Sequence, residues 1–69
     1  MNTIYTTVSG NRVLLWRTGS NSPSATIATN AQTAWTSGNQ IIVQFTNGAT
    51  GIFELTRART SAYPVRITR

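Results

Sequence analysis

The sequence predicts an all-β fold: a small sandwich or barrel of six to seven short antiparallel strands, built from two similar hairpin units. Three observations carry this. First, one pattern is stated twice. Ser9-Gly10-Asn11 leads into Arg12-Val13-Leu14-Leu15-Trp16 and closes at Thr18-Gly19; Ser37-Gly38-Asn39 leads into Gln40-Ile41-Ile42-Val43-Gln44-Phe45 and closes at Asn47-Gly48. A polar turn feeding an apolar run that ends on a glycine turn is a hairpin signature. Second, apolar residues recur with a period of two and no stretch shows helical spacing. Third, thirteen threonines stand beside six serines and six asparagines. Threonine suits strands because β-branching favours extended backbone, while its hydroxyl tolerates a wet face.

Taken in order, residues 3–8 alternate, with Ile4, Thr6 and Val8 on one face and Tyr5 on the other. Gly10 and Asn11 both accept the positive φ of a tight turn. Residues 12–17 place Val13 and Leu15 on one face and Leu14 and Trp16 on the opposite one, so this strand reads as central or covered twice. Residues 18–24 form the longest loop, which contains Pro23. Residues 25–29 read as a weak strand of small side chains around Ile27, and residues 32–36 carry Trp35. Residues 40–46 form the strongest strand, with Ile41, Val43 and Phe45 on one face and Ile42 on the other. After the Asn47-Gly48 hairpin signal, residues 50–59 are expected to pair back, placing Phe53, Leu55, Arg57 and Arg59 on one face. A last strand over 63–69 is expected to point Tyr63, Val65 and Ile67 inward, with Pro64 marking an edge or a strand start. A three-strand unit is thus duplicated over 3–28 and 32–57.

Residues 1–69 make one small β domain. A chain of this length buries only roughly 60% of its unfolded surface. There is no cysteine and no histidine, and Glu54 is the only acid. Neither a disulfide nor an ordinary metal site can therefore support the fold, and no cofactor is expected. Small domains without such supports gain burial by oligomerising, so a homo-oligomer or a larger protein assembly is expected. No apolar run approaches the ~18 residues of a membrane helix. Met1-Asn2-Thr3 carries no basic or apolar leader, so the expected location is the cytoplasm or a virion, without membrane insertion.

The six basic residues are all arginine, for a net charge of +5, yet only 10% of residues are charged. That is well below the ~25% of ordinary globular domains. Positive charge without acids keeps a chain soluble, and it also fits an anionic partner such as an acidic protein surface or nucleic acid. Catalysis is not expected. No His, Cys, Asp or Lys is present to titrate near neutrality, and serine or threonine hydroxyls need an activating base to act as nucleophiles. The five glycines read as single turn residues and form no phosphate cradle.

Two sets of candidate residues remain. Arg12, Leu14, Trp16, Trp35, Ile42 and Tyr63 are candidate interface residues, because aromatic and apolar side chains on second faces exceed what one thin sheet covers. Arg57, Arg59, Arg66 and Arg69 are candidate anion or nucleic-acid contacts, since arginine forks phosphate with parallel hydrogen bonds. Residues 40–52 (QIIVQFTNGATGI) resemble a strand of the ring-forming tryptophan-activated RNA-binding attenuation protein family, which shares the Ile-Ile-x-Gln-Phe-Thr run. The resemblance implies a small β module closing into a ring. It does not imply RNA binding, because the family's basic RNA-contacting positions would fall on Phe53 and Leu55. The expected function is a self-assembling structural module of a phage or virus particle, acting as a decoration, cement or adaptor protein. The alternative is a β nucleic-acid-binding protein with an arginine-lined face.

Overall fold

The computed structural model describes residues 3–69; the leader expectation on Met1 and Asn2 lies outside them. Among the described residues, seven antiparallel strands form two sheets and there is no helix: β1 (Ile4–Ser9), β2 (Arg12–Arg17) and β3 (Ala25–Ala28) lie in the first, β4 (Ala31–Ser37), β5 (Gln40–Phe45), β6 (Thr50–Leu55) and β7 (Ala62–Thr68) in the second. Each copy of the duplicated unit is one meander. The first makes the whole three-stranded sheet, the second makes three strands of the other, and β7 is added as a fourth. The arrangement is a sandwich rather than a closed barrel. Its shortest dimension, 14 Å across the Cα atoms, accommodates two layers at the usual ~10 Å spacing.

The same three residues make two different hairpin turns. Gly10 and Asn11 both have positive φ (57° and 63°), the type I′ arrangement, whereas at the second copy only Gly38 does (59°), as in type II′. Both types match the right-handed twist of paired strands. Asn47-Gly48 closes a hairpin through a three-residue loop instead. Gly48 N–H donates to the Phe45 carbonyl at 3.1 Å, Phe45 N–H donates to the Ala49 carbonyl at 2.9 Å, and Gly48 takes φ 90°. The two sheets are joined at a corner where Asn30 adopts φ 58°. There Ala31 N–H donates to the Asn11 carbonyl and Asn11 Nδ2 donates back to the Ala31 carbonyl, both at 2.9 Å. β1 packs against β4, which places the opposite flanks, β3 and β7, on the far side of the sandwich.

Val13, Leu15, Ile41 and Val43 are fully buried, with Ala31, Phe53 and Leu55 around them. These are the inward positions that the period of two assigned to β2, β5 and β6. Three expectations are corrected. The strand expected over 50–59 ends at Leu55, so Arg57 and Arg59 lie in the following turn and share no strand face; Arg59 N–H donates to the Thr56 carbonyl at 2.9 Å and Arg59 takes φ 58°. Gly51 is not a turn residue but the buried second position of β6. Tyr63, Val65 and Ile67 do not point together into a core: they are 50%, 53% and 55% exposed. The cause is a bulge. Pro64 stands opposite Phe53 and Arg66 opposite Ile52, so Val65 is an extra residue and the side-chain parity of β7 flips there.

Candidate functional site

Opposed residues on neighbouring strands share a face, so the register defines rows of side chains across the larger sheet. One inward row runs Ala34, Val43, Gly51, Ile67; the next runs Thr36, Ile41, Phe53, Pro64. Burial along both rows is high in β5 and β6 and fails at β7. Val43 and Ile41 are 0% exposed and Phe53 5%, but Ile67 is 55% exposed and Pro64 is also exposed. Cover is lost along the strand: Ala62, at the start of β7, still packs on the core, whereas Pro64 and Ile67 beyond it are exposed.

Between the end of β3 and the larger sheet opens a cleft of about 470 Å³ of mixed polarity, with Ile27, Ala28 and Asn30 on one side and Phe45, Asn47 and Phe53 on the other. Gly51 makes room for the two rings that line it. A Cβ at that position would stand 2.8 Å from Phe45 Cε2 and 3.0 Å from Phe53 Cε1, so the two rings occupy the space a side chain would need. The edge strands β3 and β7 resist strand pairing. Ile27 is the unpaired residue of a bulge in β3 and Val65 of one in β7, while Pro64 carries no N–H.

The candidate interface residues do not form one patch. Arg12, Leu14 and Trp16 lie on the outer face of the smaller sheet, where the Trp16 ring stacks on Tyr5 at 6.3 Å and 6°, and Trp16 Nε1 donates to Thr7 Oγ1 at 2.8 Å. This indole is therefore partnered within its own sheet. Trp35, Ile42 and Tyr63 lie on the outer face of the larger sheet, on the opposite side of the molecule. There Trp35, Ile42, Ile52 and Arg66 make one transverse row across all four strands, and Tyr63 stands opposite Glu54.

The candidate anion contacts separate as well. Arg57 and Arg59 occupy the β6–β7 turn at one end of β7, Arg66 lies on the outer face and Arg69 follows the other end. A sixth arginine joins the turn. Arg17, at the end of β2, donates from Nη2 to the Ala58 carbonyl at 3.1 Å, tying the two sheets together at that end. Arg17 was not a sequence candidate, because nothing local connects positions 41 residues apart. Ile67 was missed as a surface residue for the reason given above: alternation alone reads it as core. The signal that marks its strand as an edge is Pro64 followed by Arg66 and Arg69.

Compared with protein-family models, with curated proteins and with solved structures, the chain matches none.

Proposed function

We propose that the chain is a non-enzymatic structural module that associates with copies of itself, as a small component of a phage or virus particle. The carrying observation is the exposed apolar stretch of β7, where Val65 and Ile67 are more than half exposed. Exposed apolar surface next to a core is the mark of a protein-binding face. The small size of the chain and its lack of disulfide or metal support favour association for the same energetic reason. A surface dominated by Thr, Ser and Asn, with no lysine and one acid, suits a particle component better than a catalyst. Sedimentation over a concentration series is expected to show reversible self-association that tightens as salt rises, since copies of charge +5 repel until screened. A monomer at all concentrations and salts overturns the reading.

A second reading, binding of a nucleic-acid backbone, is favoured by the gathering of Arg17 onto the turn that holds Arg57 and Arg59. It predicts the opposite salt response. A site making about four phosphate contacts loses affinity with a log–log slope near −3 to −4. Labelled oligonucleotides whose fluorescence anisotropy stays flat in the protein's presence at low salt would eliminate it.

A further inference from the structure

We infer that the outer face of the larger sheet binds single-stranded nucleic acid, stacking unpaired bases on Trp35 and Tyr63; this rests on the nucleic-acid reading above. The register defines the face. Trp35, Ile42, Ile52 and Arg66 form one row across all four strands, and Tyr63 stands opposite Glu54 in the next row toward the β6–β7 turn. Trp35, on the edge strand β4, is 44% exposed, and Tyr63, on the edge strand β7, is 50% exposed. Ile42 and Ile52 are half-buried between them and make an apolar floor. At ~4.8 Å per strand and ~7 Å per row, the two aromatic residues stand roughly 16 Å apart between backbones. A few extended nucleotides cover that span.

Two observations select this occupant. The first is charge. Arg57 and Arg59 precede β7, Arg66 lies on it, Arg69 follows it, and Arg17 is held at the same turn by its hydrogen bond to the Ala58 carbonyl. Five of the six arginines thus border one side of the face, where guanidinium groups can fork successive phosphates of a polyanion. The second is the contrast between the two tryptophans. Trp16 is committed within its own sheet, stacked on Tyr5 and donating from Nε1 to Thr7 Oγ1. Trp35 lies in the open beside Ile42 and joins no such stack among the described residues. An acidic peptide would satisfy the arginines but brings no row of planar groups to the two rings. A duplex carries the charge but keeps its base faces inside its own stack. A single strand meets both demands, because its unpaired bases are free to stack on aromatic side chains. Glu54, the only acid, shares the face with Tyr63 and repels the same backbone, so its removal strengthens binding.

Both rings are exposed, so their substitution leaves the core intact. In anisotropy titrations at low salt, labelled oligothymidine is expected to bind about ten-fold or more tightly than a duplex of equal length. Trp35→Ala and Tyr63→Ala are each expected to weaken the single strand by about five-fold or more, whereas Trp35→Phe keeps most of the affinity. Glu54→Gln is expected to bind about two-fold more tightly. Tryptophan fluorescence locates the contact. In a Trp16→Phe chain, where Trp35 is the one indole, oligothymidine is expected to quench the emission; in a Trp35→Phe chain, where Trp16 remains on the opposite side of the molecule, it is not. Equal binding of single strand and duplex, indifferent to Trp35→Ala and Tyr63→Ala, overturns the stacking face and leaves backbone binding at the arginine turn standing. So does quenching confined to Trp16. Failure to bind any oligonucleotide at low salt overturns both.

Discussion

Leu15→Ala is expected to be the most damaging single change, lowering stability by about 3–5 kcal/mol in urea or thermal unfolding. Leu15 is 0% exposed and stands opposite Thr6 and Ala25, with Ala31 and Ala34 elsewhere in the same core. Its cross-strand neighbours are small, so neither can fill the space that the substitution opens. A domain of this size has roughly 3–10 kcal/mol in total, at about 0.05–0.15 kcal/mol per residue. The variant therefore loses much or all of its folded population at physiological temperature. Leu14→Ala, one residue away on the half-buried outer face, is expected to cost about 1 kcal/mol. Equal losses at the two positions would contradict the assignment of faces in β2.

Gly51→Val is expected to destabilise by about 2 kcal/mol, although valine is among the best strand formers and glycine among the poorest. The preference is reversed because the position is already filled from the side. Phe45 Cε2 would stand 2.8 Å from the new Cβ, closer than real contacts allow. Phe45 is half-buried at the cleft and can swing outward, at the cost of its packing against the core. The clash implies strong coupling: Gly51→Val combined with Phe45→Ala should lose about 1–2 kcal/mol less than the two single losses added together. Strict additivity in that cycle would mean that something other than the ring excludes a side chain.

Both residues show how far local pattern reaches. Leu15 was legible because its strand has two apolar faces and the parity of Val13 and Leu15 is fixed by the Ser-Gly-Asn turn before them. Gly51 was not, since a glycine just after Asn47-Gly48 reads as turn; only a ring from β5 lying across it explains its place in β6. The arginines divide similarly. Arg66 follows from the strand that contains it, whereas Arg57 and Arg59 moved from a strand face into a turn once β6 stopped at Leu55. Arg17 entered their company through a contact between sheets.

The sequence by itself determined the class of fold, six to seven short strands and the core residues of β2, β5 and β6, because strand parity and turn chemistry are local properties of the chain. It also indicated a duplicated three-strand unit, whose two copies the structure places in separate sheets. What only the tertiary structure decided is which apolar residues remain uncovered. Tyr63, Val65 and Ile67 alternate as a buried face would, yet a bulge at Val65 sends Tyr63 outward, and Ile67, in register with buried Gly51, is left 55% exposed. Alternation specifies the side of a strand on which a residue lies. Whether anything covers that side depends on where the opposite sheet runs, and no local pattern in β7 encodes it.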